Sequence, residues 1–144
     1  MPDPGPVLGL DLGQARIGVA LSDPARRIAV PIGTVRTGAP QDVKAIAALV
    51  AEHAVTELVV GHPLSLSGRK GEAAAHAERF ADTLRIVLGL PVHIQDERLS
   101  TVEAERSLRA AGVSGRARRE VVDRAAAAVI LQAWLDGTRD AAQS

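Results

Sequence analysis

The chain of 144 residues has no cysteine and no tyrosine. Without cysteine there is no disulfide, no thiolate metal site and no cysteine nucleophile. Aromatic residues are 1% of the chain, Phe80 and Trp134, which argues against recognition of bases on aromatic stacking platforms. Net charge is missing too: 17 basic and 17 acidic side chains cancel. The protein is therefore no general polycation, and binding nucleic acid would require a local basic patch. No apolar run reaches the ~18 residues of a membrane span. Met1 to Pro6 is short, proline-rich and acidic, unlike a signal peptide. These absences point to a cytoplasmic protein with no membrane partner. Lysine is scarce as well, at Lys44 and Lys70, and the remaining basic residues are all Arg. Such a skew can come from the base composition of a gene, so one Arg alone is weak evidence for phosphate binding.

The length suits a single domain with a full core. We expect it over residues 1–138, with 139–144 as a polar, frayed tail. Val7 to Leu12 is a short apolar run and reads as a buried strand. Gly13 to Ala15 is turn-like, and Arg16 to Ser22 alternates as a second strand. Asp23-Pro24 turns the chain into a third, Ile28 to Val35, where Pro31 argues for an edge position. These three make an antiparallel meander. From Pro40 the apolar spacing becomes helical, with Val43, Ile46, Ala47, Val50 and Ala54 on one face. A strand over Glu57 to Gly61, a Gly/Ser/Pro-rich loop over His62 to Gly71, and a helix carrying Ala77, Phe80, Ala81, Leu84 and Leu88 follow. Val92 to Gln95 is a fifth strand. Ser100 to Ala111 reads as a helix opened by a Ser100/Glu103 capping box, and a last helix starts at Ser114 or Gly115. Strands alternating with helices imply parallel pairing in the second half. The expected fold is α/β, a mixed five-stranded sheet flanked by helices.

Three carboxylates stand in unusual places. Asp11 interrupts an apolar strand, where an unpaired charge costs several kcal/mol or more. It is either a cap for the Gly13 turn or a metal ligand at the carboxyl end of a central strand, with Gly13 leaving room for a phosphate or a second chain. Glu97 follows the fifth strand, beyond the carboxyl edge where open α/β sheets gather ligands; otherwise it is part of a solvated acidic turn. Asp123 shares a helix face with Ala126, Ala127, Ile130, Leu131 and Trp134, and needs either a cation or an Arg such as Arg16 or Arg98. Three acids converging on one point suit divalent ions, which take hard oxygen ligands and support phosphodiester cleavage in pairs.

The motifs resemble those of the bacterial YqgF (RuvX) family. The likeness runs through Val7-Leu8-Gly9-Leu10-Asp11-Leu12-Gly13 with Arg16-Ile17-Gly18-Val19-Ala20, then Val60-Gly61-His62-Pro63-Leu64. It continues in Asp96-Glu97-Arg98-Leu99-Ser100-Thr101 and in Val121-Val122-Asp123. The resemblance implies a ribonuclease H-like fold similar to RuvC. It implies a catalytic, metal-binding triad of Asp11, Glu97 and Asp123 using Mg²⁺ or Mn²⁺, and a role in 5′-end maturation of the 16S ribosomal RNA precursor or in resolving Holliday junctions. His62, and Gln14 with Ala15, depart from the family pattern and bear on substrate contacts rather than on the triad.

Nucleic acid, as structured RNA or branched DNA, is the expected partner, bound by a monomer or a homodimer. Arg109 to Arg119 holds the densest basic stretch, with Arg116, Arg118 and Arg119 shortly before Asp123. Ser65, Arg69 and Lys70 in the central loop, with Arg16 and Arg98, complete the candidate contacts. Each of these is equally readable as a solvated or connecting residue. Two rivals come from other classes. An actin-like nucleotide phosphotransferase shares the Asp-x-Gly strand but binds nucleotide between two such domains. A non-catalytic RNA-binding module would not need the triad.

Overall fold

The computed structural model describes residues 3–62, 70–96 and 115–143; of these, 62, 70–73, 96, 115–123 and 140–143 are described by their backbone alone. β1 (Val7–Leu12) is buried at every position, as suits a strand covered on both faces. It pairs antiparallel with β2 (Arg16–Ser22) and parallel with β4 (Glu57–His62). β3 (Ala29–Arg36) pairs antiparallel with β2, and β5 (Val92–Asp96) parallel with β4. The sheet order is β3-β2-β1-β4-β5, the mixed five-stranded arrangement expected from the sequence. β3 is an edge strand, so Pro31 costs no ladder hydrogen bond to a further neighbour. A register shift opposite Val19 and Ala20, paired with Gly33 and Pro31, leaves Ile32 as the extra residue of a bulge.

Side chains alternate between the two faces. Leu8, Leu10, Ile17, Val19, Leu58 and Val60 enter one core with Ile46 of α1 (Gln41–His53) and Ala77, Ala81 and Leu84 of α2 (Lys70–Leu88). Val7, Ala20 and Val59 face the opposite way, onto Ala127, Ile130, Leu131 and Leu135 of α3 (Gly115–Gln143). The result is three layers, with helices on both faces of the sheet.

The α3 face of the sheet is built from small residues, and α3 lies close against it. A Cβ on Gly9 would stand 2.7 Å from Leu131 Cβ and 3.2 Å from the Ala127 carbonyl oxygen. One on Gly61 would stand 2.5 Å from Ile130 Cδ1. Gln132 then clips α3 to the edge strand: its Oε1 accepts from the Ala29 amide at 2.9 Å and its Nε2 donates to the Arg27 carbonyl at 3.1 Å. Farther along α3, the Trp134 ring lies 4.9 Å from that of His93.

At the end of the sheet where β1 starts, polar groups close the structure. The Ser22 hydroxyl accepts from the Val7 amide at 2.8 Å and donates to the Asp23 carbonyl at 2.9 Å. Asp23 Oδ1 accepts from the amides of Arg27 and Ile28, which shapes the β2–β3 turn. Arg26, held at a left-handed φ of 61°, donates to the Gly5 carbonyl and to Thr56 Oγ1 and forms an ion pair with Glu57. Glu57 Oε1 also meets His93 Nε2 at 2.9 Å. Burial pushes the Glu57 carboxyl up, but the hydrogen bonds from His93 and Arg26 outweigh it and hold the group below its ordinary value of 4.5.

Two boundaries differ from the expectation. α2 begins at Lys70, inside the segment expected as loop. α3 runs through Gln143, beyond Thr138 where the sequence suggested fraying. Beyond Gly137 no Gly or Pro breaks the helix, and Ala141 and Ala142 are strong helix formers. Thr138 Oγ1 donates to the Trp134 carbonyl, and an Arg139–Asp136 pair spans one turn. The helix expected over Ser100 to Ala111, with its capping box, lies outside the described residues. Among those described, no helix is long and apolar enough to cross a membrane.

Two outcomes follow for stability. Gly9→Ala should destabilise by about 1–3 kcal/mol, because its new carbon meets a Cβ and a backbone oxygen that no rotamer change can move; denaturant melts with an unchanged m-value would show it. Glu57→Gln should cost about 1–3 kcal/mol at neutral pH. A carboxyl depressed in the folded state adds stability above its unfolded pKa and loses it as pH falls through the folded one. The gap between wild type and Glu57→Gln should therefore narrow below about pH 4.5, read from melts across an acid series.

Candidate active site

The opposite end of the sheet, where the parallel strands finish, is built around Asp11. It is only 8% exposed. Register sets its surroundings: Asp11 pairs with Gly18 on one side and Gly61 on the other, and Gly61 pairs in turn with Gln95. Both nearest cross-strand neighbours lack a side chain, and the space over Gly61 is taken by Ile130 of α3. Asp11 shares its face with Val7 and Gly9, the face that packs on α3.

The turn after β1 is tied to the end of β3. Thr37, just past β3, donates from its amide to the Ala15 carbonyl at 3.1 Å and from its hydroxyl to the Gly13 carbonyl at 3.0 Å. The room expected beside Gly13 for a phosphate or second chain is taken by the chain itself: a Cβ there would lie 2.5 Å from the Arg16 carbonyl oxygen. The glycine serves the tight turn into β2.

α3 descends over this face away from Asp11. Ile130 lies on Gly61, Leu131 on Gly9, and Trp134 against His93 at the far end. Asp123 is two helical turns before Ile130, about 10 Å along the axis, so its backbone belongs to the Asp11 end of α3. β5 ends at Asp96, paired with His62, at the same edge. Glu97 is the next residue and lies outside the described residues, as do Ser65, Arg69 and Arg98. Lys70 is the first residue of α2, and Arg116, Arg118 and Arg119 lie in the first turns of α3. Of the candidate residues, the described backbone thus gathers Asp11, Arg16 and Asp123 towards one end of the molecule. Among the described residues, no three acidic or histidine side chains form a metal-binding group; the Asp123 side chain and Glu97 are not among them.

One residue escaped the sequence reading. Arg36 stands directly opposite Arg16 across the β2–β3 ladder. Counting back from the Asp23-Pro24 turn would pair the two only if the bulge at Ile32 were known, because a one-residue shift turns every later side chain to the other face.

Known proteins match this chain along nearly its whole length. A family model described as RuvX, Holliday junction resolvase, covers residues 5–137. A protein of Anaeromyxobacter dehalogenans (strain 2CP-C), named as a pre-16S rRNA nuclease, is 51% identical over 130 residues, 90% of this chain and 95% of its own. A protein of the same name from Mycolicibacterium paratuberculosis is 49% identical over 142 residues, 97% of this chain and 85% of its own. Among solved structures, T. thermophilus RuvC in complex with a Holliday junction superposes with a TM-score of 0.55 at 18% identity, over 94% of this chain and 96% of that one. That likeness gives the fold, ribonuclease H-like, and the sequence matches give the kinship: the chain belongs to the RuvX family.

Proposed function

We propose that this protein is a metal-dependent nuclease that hydrolyses phosphodiester bonds during maturation of pre-16S rRNA in the cytoplasm. The observation that carries the reading is Asp11, a buried carboxylate between two glycines at the carboxyl end of the central strand. The names of the relatives at about half identity support the substrate.

The donor set fits a hard divalent ion such as Mg²⁺ or Mn²⁺, with Asp11, Glu97 and Asp123 as the residues that would hold it. When bound, such an ion supplies Lewis acidity for the attacking water and the leaving oxygen. The chain's own part is positioning. Asp11 is fixed by the ladders on both sides of β1, and Asp123 by the seating of α3. The proposed contacts to the nucleic-acid backbone are the hydroxyl of Ser65 and the cationic side chains of Arg16, Arg69, Lys70, Arg98, Arg116, Arg118 and Arg119.

A second reading is favoured by the RuvX family description and by the RuvC neighbour: cleavage of four-way DNA junctions. A resolvase cuts two strands and calls for two sites, hence a homodimer, whereas end maturation needs only a monomer.

The deciding experiment compares cleavage of precursor rRNA and of a four-way DNA junction, each with Mg²⁺ and with Mn²⁺. Preferential metal-dependent cutting of the RNA supports the first reading, and paired nicks in the junction support the second. Asp11→Asn should lower cleavage by 10²-fold or more on a template of charge stabilisation, with binding retained. It should leave the fold intact, because it removes the charge with little change in volume. Activity within a few-fold of wild type would make Asp11 structural.

A further inference from the structure

We propose that Arg36 is a phosphate-contacting residue that, side by side with Arg16, guides the nucleic-acid backbone to Asp11. The inference rests on the nuclease reading above and adds to it a residue and a path.

Register places the two arginines on the catalytic face. Asp11 pairs with Gly18 and Gly18 with Thr34, while Arg16 pairs with Arg36. Residues two apart on a strand share a face, so Arg16 and Arg36 face the same way as Asp11, one side-chain step nearer the sheet end. Two strand spacings and one such step put the Arg36 backbone ~12 Å from that of Asp11. A duplex carries one phosphate per strand for about every 3.4 Å of axis, so a backbone held at Asp11 has phosphates within reach of Arg36.

Stability does not account for this placement. Arg36 is exposed, so its side chain gains little from burial. Arg26, Arg85 and Arg139, by contrast, are held by carboxylates or backbone carbonyls of the fold. The mount is also rigid with respect to the site. Thr37, the next residue, is hydrogen-bonded to the turn that leaves β1, so Arg36 and Asp11 move as one body.

The test measures binding of a labelled RNA hairpin and of a DNA duplex by anisotropy, in metal-free buffer so that the probe survives, from 50 to 200 mM salt. Arg36→Ala should reduce the slope of log K against log salt by about 0.7–0.9 for both probes. The affinity lost over that salt range then shrinks about threefold. Arg36→Lys should keep most of the slope. Arg27→Ala removes the same charge at the other end of the sheet and should leave the slope unchanged. A wild-type slope in Arg36→Ala, or an equal loss in Arg27→Ala, overturns the proposal while leaving nuclease activity of the wild type intact. If the wild type binds neither probe, the nucleic-acid reading falls and Arg36 with it, and the wild-type trace alone reveals that outcome.

Discussion

The close seating of α3 on the sheet is the constraint from which the rest of the structure follows. It is a steric condition before it is an energetic one. Gly9 and Gly61 have no Cβ, and that space is filled by Leu131 and Ile130. The same small-residue face continues through Gly18 and Ala20 on β2. With α3 that near, Gln132 reaches the start of β3 and Trp134 reaches His93. The helix is thereby held to the edge strand, the middle strands and the far strand at once. Its N-terminal turns, which carry Asp123, continue from these contacts towards the Asp11 edge.

Polar pairs close the end of the sheet where β1 begins. Where β1 begins, every prominent polar group has a partner in the fold: Ser22 on the Val7 amide, Asp23 on two turn amides, and Glu57 between Arg26 and His93. Depression of the Glu57 and Asp23 carboxyls expresses that closure. Asp42 follows the same pattern at the start of α1, accepting from the amides of Gly38 and Val43. At the other end the chain keeps a carboxylate on its most buried strand, although an apolar residue would fit the pattern of β1. Sequences break their own consistency chiefly at functional sites, which is why the break at Asp11 makes it a candidate.

Much of this was legible in the residues. The meander followed from period-two runs broken by Gly13 and by Asp23-Pro24, and the edge position of β3 from Pro31. Asp11 stands out as a candidate by its charge in an apolar run, and Asp123 by its spacing from Ala127 and Ile130. What escaped depends on contacts distant in sequence. Nothing local shows that the spaces at Gly9 and Gly61 belong to α3. Ile32 reads as one more apolar strand residue, and only pairing with β2 reveals it as a bulge. The end of α3 escaped for a different reason. Polarity over 139–144 suggested fraying, yet polar residues with two alanines continue a helix whose apolar face is already anchored at Leu135.

The bulge also ties the edge strand to the site. Without the extra residue at Ile32, every β3 residue beyond it would shift by one against β2, and its side chains would turn to the opposite face. Val35 would leave the core it shares with Ile17, and Arg36 would leave the face of Asp11. The same single residue thus keeps an apolar side chain inside on one face and a cation beside the candidate site on the other. Because Val35 gains from burial and Arg36 does not, packing alone is sufficient to hold the register, and the chemistry at residue 36 is free to serve the substrate.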